Sequence, residues 1–126
     1  HFIQGPEMEG IVIGGNIRCL LKLAGTDYFP DCHDRILLLE SLSGGMSRIT
    51  AYFSQLQQMG VLDRCVGILL GTFTQLEKEN GTEAAVGLLQ RFVRRDLPIA
   101  KTKQIGHGAD SKAIMIGKSM CLSVQK

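Results

Sequence analysis

What this chain of 126 residues lacks bounds its chemistry first. Its four cysteines, Cys19, Cys32, Cys65 and Cys121, include no C-x-x-C pair. Three of them, Cys19, Cys65 and Cys121, sit among apolar neighbours, where a small buried hydrophobe is the expected role. A reduced, cytoplasmic setting is therefore expected rather than a disulfide framework. Asp31-Cys32-His33-Asp34 gathers metal-binding residue types, yet no second ligand pair stands at a spacing zinc prefers, so neither metal nor cofactor is expected. Charge of one sign is also missing. The net charge is +2 and the 14 Lys and Arg are scattered, which argues against a nucleic-acid partner. Apolar runs such as Ile36–Leu39 and Ile68–Leu70 are far too short to span a bilayer, so no membrane role is expected. There is no internal repeat and no low-complexity tract. No secretory signal is visible, and a chain opening at His1 is expected to have lost its original start.

The balance that remains, 44% hydrophobic and 21% charged, is that of one folded domain with its own core. Strand and helix patterns alternate. Gly10–Ile13 reads as a strand turning tightly at Gly14-Gly15, and Asn16 caps a helix carrying Ile17, Leu20, Leu21 and Ala24, stopped by Gly25. Residues 28–34 read as a loop around Pro30. The unbroken run Ile36–Leu39 predicts a strand buried on both faces. Ile49, Tyr52, Phe53, Leu56 and Met59 recur at helical steps, so residues 47–59 form an amphipathic helix ended by Gly60. Cys65–Leu70 predicts a second buried strand closed by Gly71. Residues 75–81 look polar and exposed. Ala85, Leu88, Leu89 and Phe92 mark a third helix, with Thr82 as its cap, and residues 99–102 a short strand. The alternation from Ile114 to Val124 around Gly117-Lys118 predicts a terminal β-hairpin. The fold class is mixed α/β.

Two glycine patterns fail as nucleotide motifs. Gly117-Lys118-Ser119 imitates the end of a phosphate-binding loop, but Lys112 stands where that loop requires glycine. Residues 10–15 lack the order G-x-G-x-x-G. A strand–Gly-Gly–Asn–helix junction serves a turn, or else offers backbone N–H groups to an anion. Glu40 follows the apolar run directly. It either marks the strand's exit into solvent or occupies the strand end where α/β domains place functional groups. His107, between Gly106 and Gly108, is sterically open and is either a general base or an ordinary surface turn. No G-x-S-x-G or comparable strand–Ser–helix elbow occurs, so none of Ser43, Ser47, Ser54, Ser111, Ser119 and Ser123 is nominated as a nucleophile.

Six blocks in series carry a resemblance over nearly the whole chain. They are Ile13-Gly14-Gly15-Asn16; residues 24–31 (Ala-Gly-Thr-Asp-Tyr-Phe-Pro-Asp); Ile36-Leu37-Leu38-Leu39-Glu40; Gln55-Leu56 with Gly60-Val61-Leu62-Asp63-Arg64; Gly67-Ile68-Leu69-Leu70-Gly71; and Ile105-Gly106-His107-Gly108-Ala109-Asp110. Together they resemble the LD-carboxypeptidase and microcin-C self-immunity family of serine peptidases.

The resemblance implies two domains: an N-terminal doubly wound sheet with a serine on a nucleophile elbow, and a smaller β/β/α domain of swivelling type supplying Glu and His. It makes the whole of 1–126 the second of these, with the N-terminal nucleophile domain as its partner and a murein-derived peptide as substrate. By resemblance Glu40 matches the triad glutamate and His107 the triad histidine, with Asn16 near them as a substrate-binding residue. The reaction implied is hydrolysis of the L,D-amide of a murein tetrapeptide to release D-alanine. This chain alone is expected to be inactive. Gly106 and Gly108 are both expected to expose the histidine. Two positions depart from the family: Ser41-Leu42 where a second acidic residue often follows, and Ser47 and Ala51 where Tyr and Arg often stand. Both bear on specificity. A stand-alone binding domain, a self-immunity peptidase cutting a peptide–nucleotide antibiotic, and a homodimer stay open.

Overall fold

The computed structural model describes residues 1–109 and 111–124. The elements run β1 (Phe2–Gln4), β2 (Glu7–Asn16), α1 (Ile17–Leu21), β3 (Arg35–Ser41), α2 (Met46–Gln58), α3 (Val61–Arg64), β4 (Gly67–Phe73), α4 (Thr74–Asn80), α5 (Ala84–Leu89), β5 (Ile99–Lys101) and β6 (Ser119–Ser123). One six-stranded sheet has the order β1-β5-β4-β3-β2-β6. Its four inner strands are parallel, and the edge strands β1 and β6 run antiparallel to their neighbours.

From β2 to β5 each strand lies beside the one before it, so the sheet grows in one direction only. Right-handed crossovers then place every connecting helix on the same face. The helical layer buries Leu37 and Leu39 of β3 and Ile68 and Leu70 of β4 against Ile17, Ile49, Phe53 and Leu56. Phe53, fully buried, meets Phe73 and Phe92 edge-on at centroid separations of 5.9 and 6.4 Å. The alternate residues Ile36, Leu38, Leu69 and Ala100 face the other way. There the cover comes from the C-terminal segment, through Ile105, Ile114, Met120 and Leu122. Burial on both faces is why β3 reads as a continuous apolar run.

The mixed α/β class is the one observed, with several differences in detail. Where the sequence predicts a hairpin there is a single strand, β6, paired with β2 rather than with a second arm. Gly117 donates its N–H to Val12 O (2.7 Å) and Val12 donates to Lys118 O (3.0 Å), so the turn hooks onto the ten-residue β2. That long strand offers more ladder than residues 111–115 could. Gly14 and Gly15 lie inside β2 and form no turn; a Cβ on Gly14, at φ 108°, would overlap the Leu38 carbonyl. Residues 75–81 belong largely to α4, missed because Leu76 alone is buried in it. α5 has Glu83 at its N-cap position, without a side-chain cap, so Thr82 does not serve. Cys65 is buried as expected and Cys32 is buried too, whereas Cys19 and Cys121 are exposed, against the expectation. Burial pushes the Cys65 thiol up to about 11. Among the described residues no helix is long and apolar enough to cross a membrane.

Candidate active site

Glu40 leaves the sheet at the carboxyl end of β3, opposite Asn16 at the end of β2. On its other side the ladder slips. Leu39 pairs with Leu70 but Ser41 pairs with Phe73, so β4 carries one extra residue across from Glu40. Such an extra residue bends the strand and re-aims its neighbours. The side chain points to the face that the C-terminal segment covers, and it is 12% exposed.

That segment delivers His107. Thr72 N donates to Ile105 O at 2.8 Å, laying residues 105–106 along the extra turn of β4. The approach demands glycine on both sides. A Cβ on Gly71 would stand 2.5 Å from Ile105 O and 3.1 Å from Glu40 Cβ. Gly106 has φ 138°, a region open essentially to glycine alone, and its Cβ would overlap the Thr72 hydroxyl. Gly108 differs from the expectation: nothing lies within 4 Å of a Cβ placed there. Asp110, which closes the last family-like block, lies outside the described residues.

The outcome is one close contact between distant parts of the chain. His107 Nε2 is 3.2 Å from Glu40 Oε2, with the imidazole 43% exposed. Glu40 Oε2 is itself buried and has no aligned hydrogen-bond donor among the described residues, so the imidazole is the group that answers its charge. A carboxylate held this way fixes the ring and stabilises it when it takes up a proton. The second ring nitrogen is left for a reacting group.

Asn16 is brought close, and its Oδ1 is committed to capping α1 by accepting from Cys19 N at 3.1 Å. Two clefts flank the His107 loop. One, of about 220 Å³, is lined by Asn16, Arg18, Ser41, Ser43 and His107. The other, of about 680 Å³, is lined by Thr72, Glu77, Lys101 and Gly108 among others. The smaller one holds His107. Ser41 Oγ is buried and donates to Ser43 O at 2.6 Å; Ser43 is exposed. Among the described residues no group of His, Cys, Asp and Glu is arranged to hold a metal ion.

Residues 9–122 match the family described as LD-carboxypeptidase C-terminal domain. The chain belongs to this family. A Bacillus subtilis protein named "Probable murein peptide carboxypeptidase" is 25% identical over 118 residues, covering 91% of this chain and 37% of the relative. In fold the LD-carboxypeptidase domain is similar to the microcin C7 self immunity protein MccF, with TM-score 0.87 at 21% identity over 97% of this chain and 37% of that one. It is also similar to the muramoyltetrapeptide carboxypeptidase from Oxalobacter formigenes, with TM-score 0.82 at 24% identity over 99% of this chain and 44% of that one. The chain thus spans well under half the length of these relatives.

Two residues near the site escaped the sequence reading: Lys101 and Glu77. The only signal was a lysine directly after Ile99-Ala100 in a short apolar strand, where burial would oblige it to find a partner.

Proposed function

We propose that this chain is the acid–base half of a two-domain, cytoplasmic serine LD-carboxypeptidase that releases D-alanine from murein tetrapeptides. The Glu40–His107 contact carries the reading, because a carboxylate-held imidazole beside an open cleft is what a serine hydrolase needs in order to move protons. His107 takes the proton of the attacking serine and returns it to the leaving amine. Glu40 holds the ring and offsets its charge. Asn16 borders the substrate. The serine belongs to the N-terminal nucleophile domain, since no serine among the described residues stands on a strand–Ser–helix elbow. The family match and the murein-related name of the Bacillus relative favour this substrate. Four free cysteines, two of them buried, suit a reducing compartment.

The test is D-alanine release from an L,D-linked tetrapeptide by the full-length protein. Glu40→Gln is expected to lower kcat/KM by roughly 10³–10⁴-fold, and His107→Ala at least as much. Ser43→Ala, which alters the exposed serine of the same cleft, should leave the rate within about twofold of wild type. Wild-type rates in the first two variants would remove the proposed roles. Loss of activity in Ser43→Ala would place the nucleophile in this chain instead.

A further inference from the structure

Lys101 is 6% exposed and is paired with Glu77, itself 14% exposed. It is the one buried Lys or Arg among the described residues. Exchanging a buried ion pair for apolar residues of similar size is often neutral or stabilising, so stability alone gives little reason for this one. Its hydrogen bonding is also incomplete, because Glu77 Oε1 meets Lys101 Nζ without an aligned hydrogen bond.

The Lys101 ammonium does something more specific. Nζ donates to Gly71 O at 2.8 Å. The N–H on the far side of that same peptide unit is Thr72 N–H, and it donates to Ile105 O at 2.8 Å. A trans peptide is planar and stiff, with its C=O and N–H pointing in opposite directions. One rigid plate is therefore gripped at both edges, by Lys101 on one side and by the His107 loop on the other. A cation on the carbonyl also polarises the plate and strengthens its N–H as a donor. Glu40 rests against the same plate, its Cβ facing Gly71.

We propose that Lys101, steadied by Glu77, is a positioning residue for the Glu40–His107 pair, acting through the Gly71–Thr72 peptide unit. Both act through that peptide unit and not by contact with substrate. The rate readout rests on the peptidase reading above; the geometric claim does not.

The experiment compares the full-length protein with the double variant Lys101→Met/Glu77→Leu, and with Glu77→Gln, in thermal unfolding, kcat, KM and the ring ¹⁵N signals of His107. The double variant should stay folded, with an unfolding midpoint within about 5 °C of wild type. Its kcat should fall roughly 10- to 100-fold while KM moves less than about threefold, the pattern expected when reacting groups lose alignment. The His107 ring signals should shift toward those of Glu40→Gln. A folded double variant with wild-type kcat and unmoved ring signals overturns the proposal and leaves the pair a structural element. If the double variant unfolds, Glu77→Gln decides: losing the charge that steadies the ammonium should loosen its hold on Gly71 O, so kcat and the His107 ring signals should move the same way by a smaller amount, and no movement in either overturns the proposal. A wild type that releases no D-alanine defeats the peptidase reading, and the ring signals then decide the Lys101 proposal alone.

Discussion

Replacing Gly106 by alanine separates what holds His107 in place from what merely surrounds it. Two costs arise. The backbone stands at φ 138°, where a side chain costs about 1–3 kcal/mol. The new Cβ also meets Thr72. Rotating the Thr72 hydroxyl away removes the worst overlap, yet Thr72 Cβ at 3.1 Å and Thr72 N at 3.3 Å stay too close. The cheapest relief is for residues 105–107 to lift off β4. That gives up the Thr72 N–H to Ile105 O bond, worth about 1 kcal/mol net. Strain released in this way stays local, so global stability should drop by less than about 1 kcal/mol. Activity should not be spared, because a shift of about 1 Å in the base costs on the order of 100-fold. The assay is D-alanine release by full-length Gly106→Ala beside Gly108→Ala, with thermal melts of both. Gly108→Ala meets nothing within 4 Å and should act within about twofold of wild type. Adding Thr72→Ala to Gly106→Ala removes the hydroxyl overlap but leaves the close Cβ and N contacts and the backbone strain, so recovery should be partial at most. Near-wild-type activity in Gly106→Ala, or equal damage from both alanines, would refute the idea that the Gly106–Thr72 approach places the histidine.

Three further outcomes follow from burial. Phe53→Ala empties the centre of the aromatic cluster with Phe73 and Phe92 and should cost about 3–5 kcal/mol, read as a fall in urea midpoint at unchanged slope; a loss below about 1 kcal/mol would mean that this side of the core is loosely packed. Cys65 keeps its proton to about pH 11 when folded and ionises near its ordinary value of 9.0 when unfolded. The folded state therefore binds the extra proton between these values, and stability should decline as pH rises from 9 towards 11, by roughly 2–3 kcal/mol in all. Cys65→Ala should flatten that decline. At neutral pH a thiol reagent should modify Cys19 and Cys121 quickly and reach Cys32 and Cys65 only on unfolding.

What was legible in the sequence followed apolar periodicity. Ile36–Leu39 could be read as a doubly buried strand because a parallel strand with cover on both faces leaves no polar position, and residues 47–59 as a helix because one stripe faces the core. Asn16 could be read as a cap because its amide fits that role wherever a helix opens, and it does bond Cys19 N. Elements without a stripe stayed hidden. α4 buries one apolar side chain, and β1 is three residues long. The final strand shows the limit of alternation as a signal: period two reveals that a segment is a strand, but not which neighbour it pairs with. β6 found the open edge of β2, and nothing within residues 114–124 encodes that edge.

The site divides along the same line. Glu40 could be located from the chain alone because its position depends on local order, the last step of a buried strand. The partner of that carboxylate could not be read from local order, since α2, α3, β4, α4, α5 and β5 separate Glu40 from His107. Their meeting depends on an extra residue in β4 and on two glycines, Gly71 and Gly106, that let the covering segment come close to β4. The missing side chain leaves room for the Ile105 carbonyl at Gly71 and for the Thr72 side chain at Gly106, three-dimensional requirements with no periodic trace. The family resemblance supplied both residues by correspondence. The structure adds the reason they coincide: the covering segment is fastened to the Thr72 N–H edge of the Gly71–Thr72 peptide and the buried Lys101 to its carbonyl edge, while Glu40 of β3 lies close beside Gly71. A carboxylate on a strand and a histidine on a loop thus share one rigid reference, and a base so anchored can keep its alignment while a cleft beside it admits substrate.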